Sequence, residues 1–261
     1  MGLEDIAHKQ LGGLFVQVLD QAPVVLMAQA AGFDFLFFDG EHGDIDQSRL
    51  SSVMLLGNSL GIPSIVRAPQ LARADVSRML DLGASGVMVP MVETAAQARQ
   101  LVSWAKYPPV GARSYSGGAH TSYGPSGHHA QNMSLANVST LAIAQIETVE
   151  GVRNVRDILA VPGLDAAIVG PCDLAISMGC PDEVGCPEEL ALIDEVQAAC
   201  AAAGKGFGII GGNALLARYA GNINLMVSAI DTHILRDALA GAASEYQKIR
   251  AQTKRQPCDR R

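Results

Sequence analysis

The stretch AAIVGPCDLA, residues 166–175, decides the fold. Its first four residues are apolar without interruption, the pattern of a strand buried on both faces of a parallel sheet. Gly170 and Pro171 then break the run, and a proline suits the first turn of a helix. The chain therefore reads as passing directly from strand to helix, and at that junction it delivers an acid, Asp173. The stretch LAIAQIETVEG, residues 141–151, does the same, with an apolar run that ends on Glu147. Two buried strands that each finish on an acid predict a site at one end of a sheet.

Outward from these two, comparable runs occur at 14–20, 33–41, 63–69, 86–92, 206–212 and 224–231, with helical patterns between them. DQSRLSSVMLLGNSL (46–60) repeats apolar residues at spacings of three and four behind Asp46, a suitable N-cap. CPEELALIDEVQAACAAAG (186–204) starts on Pro187 and stops at Gly204, as helices prefer. Eight strands alternating with helices predict an α/β fold, a (β/α)8 TIM barrel. A doubly wound sheet would want a glycine-rich phosphate turn after its first strand, and FVQVLDQAPVV (15–25) has none. Residues 1–251 read as one barrel domain and 252–261 as a flexible polar tail.

The composition agrees. A chain of 261 residues is normal for one barrel, and 49 % hydrophobic against 17 % charged residues fills a large core. No apolar run approaches the roughly 18 residues of a membrane helix. The opening MGLEDIAHKQLGG lacks the apolar region of a secretory signal, so a cytoplasmic location is expected. A net charge of −7 without a basic stripe disfavours nucleic acid and anionic membranes as partners. Small molecules and further copies of the chain are the expected partners. Cysteines 172, 180, 186, 200 and 258 form no C-x-x-C pair, which fits a reduced protein. Cys180 and Cys186 lack the usual spacing of a zinc site. Between Arg113 and Thr140 runs a Gly-, Ser- and His-rich stretch holding His120, His128 and His129, which reads as a long loop, either a lid or a solvated excursion.

In a barrel the C-terminal ends of the strands converge on one mouth. Those ends carry Asp39, Glu41 and His42, then Arg67, then Gln145 and Glu147, then Cys172 and Asp173. Taken singly, each acid is a common helix cap or first-turn charge. Glu147 and Asp173 together form an oxygen-rich pair suited to a hard divalent ion such as Mg²⁺ or Mn²⁺. Arg67 lies in the apolar run IPSIVRAP and needs an anionic partner, either a protein acid or a substrate carboxylate. His42 alone reads as a ligand, a base or a helix-start histidine. Asp81, in the last turn of ADVSRMLDLG, opposes the helix dipole; it is either a chance surface acid or the partner of a histidine.

The motifs AGFDFLFFDGEH, VRAP, LDLGASGVMVPMV, YPPVGARS, QIET, VGPCDLAISMG and AIDTHIL, in this order along nearly the whole chain, resemble the HpcH/HpaI family of metal-dependent (class II) pyruvate aldolases. The resemblance implies a barrel assembled as a hexamer that exchanges its last helix. It implies metal ligation by Glu147 and Asp173, with Mg²⁺, Mn²⁺ or Co²⁺ as the ion. Substrate contact passes to Gln145, Cys172, Asp173 and Arg67. Charge stabilisation passes to Arg67, proton handling to His42, and support of that histidine to Asp81. The implied reaction joins or cleaves enolised pyruvate and an aldehyde, on 4-hydroxy-2-oxo acids. Relatives of this scaffold offer an alternative, a siderophore-type citrate synthase using acyl-CoA or oxaloacetate, and a non-catalytic keto-acid binder is a third possibility. Cys172 stands where the family more often has Ala or Thr, and the loop after GARS matches nothing in it. From Ser114 to Val152 there is no Lys or Arg, so an acceptor with a distal carboxylate would have to be read by Arg113 or by the loop histidines.

Overall fold

The computed structural model describes residues 6–125 and 127–253. Eight parallel strands close into a barrel in chain order. They are β1 (Leu11–Val16), β2 (Phe35–Asp39), β3 (Ser64–Arg67), β4 (Gly86–Val89), β5 (Leu141–Ile146), β6 (Ala166–Val169), β7 (Gly206–Ile210) and β8 (Leu225–Ile230). Between them run α1 (Pro23–Ala31), α2 (Gln47–Ser59), α3 (Arg73–Asp81), α4 (Ala95–Ala105), α5 (His129–Ser139), α6 (Val149–Arg153), α7 (Val155–Leu159), α8 (Pro171–Ser177), α9 (Pro187–Ala203) and α10 (Asn213–Arg218), and α11 (Asp231–Thr253) follows the last strand. The closed order excludes the doubly wound sheet.

Burial on both faces explains the unbroken apolar runs. In β2, Phe35 and Phe37 join the cluster inside the barrel, while Leu36 and Phe38 join the cluster shared with the helices. Inside, Phe15 stacks on Phe37 with centroids 5.1 Å apart. Gly13 makes room for the Phe35 ring, which a Cβ there would approach to 2.4 Å. The strand begins at Leu11, three residues ahead of the apolar run at 14–20, because Gly12 and Gly13 have no side chain to extend that run. The predicted Asp46 cap accepts from the Ser48 N–H at 2.8 Å, and α9 ends on Gly204 at φ 63° as expected.

Asp231 locks the last strand to the first. It is 1 % exposed and accepts from the N–H groups of Gln17, Val18 and Leu19 at 2.9–3.0 Å.

One expectation fails. The stretch between Arg113 and Thr140 is not a loop throughout but holds a 3-10 turn at Ala119–Thr121 and the helix α5. No residue of α5 is buried, so it lacks the apolar face by which a helix is recognised in a sequence. No helix among the described residues is long and apolar enough to cross a membrane. Of the predicted tail 252–261, residues 252 and 253 continue α11 and 254–261 lie outside the described residues.

Candidate active site

The mouth is organised by a buried acid. Asp39 and Arg67 end adjacent strands at paired register positions. The Arg67 guanidinium donates from Nε to Asp39 Oδ1 and from Nη2 to Oδ2, each at 2.8 Å. Asp39 is fully buried. Burial alone would raise its pKa, but the Arg67 fork holds it below the usual carboxylate range. Asp39 also accepts from the backbone N–H groups of Glu41 and His42, both at 3.2 Å, and so shapes the turn that carries them. Arg67 rests over the Phe15 ring at 5.6 Å, on the top layer of the barrel core. Its remaining nitrogen, Nη1, lies 3.2 Å from Glu41 Oε2. Of the two partners open to Arg67 in the sequence, the structure supplies the protein acids.

Glu147 follows β5 and is 2 % exposed. Its Oε1 accepts from the Met91 N–H at 2.8 Å, and its Oε2 from Gln145 Nε2 at 2.5 Å. Met91 is held in the left-handed region, φ 56°, where its amide meets the carboxylate. Burial first, and the negative charge of Asp173 second, push the Glu147 pKa up to about 7. Burial likewise raises Glu41, which also feels Asp173. Asp173 and Cys172 stand exposed in the first turn of α8. Gln145 Oε1 is buried without a partner. Gly170 forms the wall behind these groups. A Cβ there would come within 2.6 Å of Glu147 Oε2 and 2.7 Å of Gln145 Nε2, so no larger residue fits without displacing the carboxylate.

This donor set fits a divalent ion. Two carboxylates, one of them exposed and one buried and pushed toward its protonated form by burial and repulsion, form an oxygen site that a hard cation would relieve. Water and substrate oxygens would complete the shell, since no group of three or more His, Cys, Asp or Glu suited to a metal occurs among the described residues. The same observation leaves Cys180 and Cys186 without the further ligands of a zinc site. Among the described residues no lysine is placed for a Schiff base at the mouth. Lys106 and Lys205 bond the carbonyls of Thr140 and Leu164, just ahead of β5 and β6 at the opposite end of the barrel.

His42 is 65 % exposed in its side chain, with Nε2 3.8 Å from Glu41 Oε2. Asp81 is not beside it. Helices of a (β/α) unit return from the mouth to the far end, and Asp81 closes α3 there. Its carboxylate meets Arg113 Nη2 at 2.6 Å. The histidine near it is His120, which is bonded to the Asp81 backbone and whose pKa burial lowers. Beside His120 opens a cavity of about 690 Å³, lined by Tyr107, Arg113, Tyr115, His120, His129 and Asn132 among others. The structure thus brings Glu41, Arg67, Gln145, Glu147 and Asp173 to one mouth, with His42 at its rim, and puts Asp81 at the other end of the same chain.

A family model described as HpcH/HpaI aldolase/citrate lyase matches residues 12–214. A 2-keto-3-deoxy-L-rhamnonate aldolase of Salmonella paratyphi B is 30 % identical over 228 residues, 86 % of this chain and 85 % of that protein. The crystal structure of an HpcH/HpaI aldolase from Desulfitobacterium hafniense superposes with a TM-score of 0.85 at 28 % identity, covering 97 % of this chain and 96 % of that one. The citrate synthase SbnG superposes with a TM-score of 0.81 at 27 % identity, over 92 % and 94 % of the two chains.

Proposed function

As a member of the HpcH/HpaI aldolase/citrate lyase family this chain is a carbon–carbon lyase, and we propose that it makes and breaks the bond between enolised pyruvate and an aldehyde, on 4-hydroxy-2-oxo acids. The observation that carries this reading is the buried Glu147 carboxylate, raised to about 7 beside Asp173 and within the field of Arg67. Glu147 and Asp173 would hold a divalent ion, Mg²⁺ or Mn²⁺, and when bound it supplies Lewis-acid polarisation of the 2-oxo acid.

The chain's own groups divide the rest. Arg67 is clamped by Asp39 on two nitrogens, and Nη1, which shares its charge with Glu41, is the edge it would turn to a carbonyl oxygen as that oxygen becomes negative. Removal of a single such donor typically costs about 2.7–4 kcal/mol of barrier. Gln145 Oε1, unpartnered and buried, accepts from a water or hydroxyl beside Glu147. His42, fixed through its backbone to Asp39 and with its ring exposed beside Glu41, moves the proton at the aldol hydroxyl.

This division is testable. His42→Ala should still exchange the methyl protons of pyruvate with deuterated water, at a reduced rate, but lose about 10²–10⁴-fold in cleavage of the aldol. Proton NMR beside a coupled cleavage assay reads both. Equal loss in the two reactions would make His42 the enolising base instead. A second reading, citrate-like synthesis from an acyl-CoA or oxaloacetate, is favoured by the likeness to SbnG. A panel of aldehydes and acyl-CoAs with pyruvate and oxaloacetate, with and without Mg²⁺, separates the two.

We also infer a closed oligomer, a hexamer. From His233 to Gln252 α11 is exposed, and Ile234, Leu235, Leu239 and Tyr246 lie uncovered along it. A helix of this length with an uncovered apolar side is what a neighbouring barrel would bury. Asp81 supports the same inference, because it can assist a His42 only on another copy. Light scattering at micromolar concentration should give a closed multiple of the chain mass, and a monomer would refute the assembly.

A further inference from the structure

The tripeptide Gly-Cys-Pro occurs twice, at 179–181 and 185–187, on the connection that leaves α8 for α9. Both glycines are left-handed, φ 83° and 87°. At the first, the Cys180 N–H donates to the Ala175 carbonyl at 3.0 Å and ends α8. At the second, Cys186 is the N-cap of α9, its Sγ accepting from the Glu189 N–H at 3.4 Å. Between them the Glu183 N–H donates to the Cys180 carbonyl and the Cys186 N–H to the Glu183 carbonyl, each at 3.0 Å. Two successive four-residue turns that share Glu183 reverse the chain and set the two cysteines against each other. Both thiols are free and half-buried, and residues 181–185 around them are exposed. Each is in the other's immediate electrostatic surroundings, and that proximity helps keep Cys180 protonated, after burial.

We propose that Cys180 and Cys186 are a reversible oxidation site, joined by a hydroperoxide into a disulfide that staples the end of α8 to the start of α9. One thiolate attacks a peroxide oxygen. The O–O bond breaks, the leaving oxygen departs as water or alcohol with the thiol's proton, and a sulfenic acid remains. The second thiolate attacks that sulfur, the S–S bond forms, and hydroxide takes a proton and leaves as water. Two thiols are oxidised by two electrons in all and one peroxide is reduced; a dithiol reverses it. The other described cysteines lack such a partner. Cys200 is buried and its thiol pushed up to about 12, which leaves it inert. Cys172 stands at the far end of α8. The bridge would clamp the helix whose first turn carries Asp173.

The test uses the reduced full chain and graded hydrogen peroxide, quenched by alkylation. No Lys or Arg lies between Arg156 and Lys205, so trypsin leaves four cysteines on one fragment. A protease that cuts after acids opens the loop at Asp182 and Glu183 instead. The expected result is one link, between the fragments bearing Cys180 and Cys186, with the loss of two hydrogens in intact mass and full reversal by dithiothreitol. Cys180→Ser and Cys186→Ser should each abolish the link and leave the reduced enzyme's turnover unchanged. Links from either residue to Cys172 or Cys258, reducible dimers, or oxidation of Cys172 before any link forms would each overturn the assignment.

Discussion

Arg67→Ala is expected to lower the unfolding free energy by about 3–5 kcal/mol, because it strands the fully buried Asp39 carboxylate without its partner. Against a typical total of roughly 5–15 kcal/mol, that is a large share of the stability of a domain. Urea unfolding reads it as a drop in midpoint at constant slope. The double variant Arg67→Ala with Asp39→Ala should recover much of the loss, since no charge is then left buried alone, and the non-additivity measures the coupling of the pair. Neither variant should recover catalysis. In the fraction that folds, proton exchange and aldol cleavage should both fall by about 10²–10³-fold, because both pass through the oxygen that Nη1 faces. A loss of stability under about 1 kcal/mol would mean that the pair is solvated, and the account of the mouth built on Asp39 would fail.

Glu147→Gln is expected to abolish divalent-ion binding and yet to stabilise the metal-free protein in mildly alkaline buffer. Burial raises the Glu147 pKa from 4.5 to about 7. Between those two values the folded chain holds a proton that the unfolded chain has released. Stability therefore falls as pH rises through this window, at most by about 1.4 kcal/mol per unit and by roughly 3 kcal/mol in total. Glutamine is neutral throughout and removes that slope. The variant and the parent should unfold alike near pH 4.5, and the variant should be the more stable at pH 8 without metal. Adding Mg²⁺ at pH 8 should reverse the order by stabilising only the parent. Below about pH 7 the parent's ion affinity should weaken, approaching tenfold per unit, as Glu147 takes up its proton. Asp173→Asn should also lose the ion, and it should shift Glu147 downward by removing a neighbouring negative charge. Calorimetric binding that survives in either variant would end the assignment of both carboxylates.

The barrel and most of its mouth are legible in the sequence for one reason. A closed parallel sheet puts every strand's C-terminus at the same end, so finding where an apolar run stops locates the site. Arg67, Gln145 and Glu147 follow from that rule without any knowledge of contacts. Asp39 is visible at a strand end, but its command of the mouth depends on the register between β2 and β3, which no local pattern encodes. Gly170 is legible only as the break after its strand, because what it contributes to the site is the absence of a Cβ beside Glu147. The helix α5 is missed because, with no side chain to bury, it has no apolar stripe. Asp81 shows the opposite case. Its helix is located correctly, and the direction in which such helices run already separates it from His42.

That separation has a consequence for what one chain is worth. On the reading that Asp81 serves a histidine of another copy, each barrel is a half-finished site at its mouth and a spare part at its far end. Association would then behave like the loading of a cofactor, with the neighbouring chain as the cofactor and the dissociation constant of the assembly as its affinity. Specific activity would be a property of concentration as well as of sequence, and a change on the outer surface of α11, remote from every reacting atom, would reach the chemistry by diluting the enzyme into its incomplete halves.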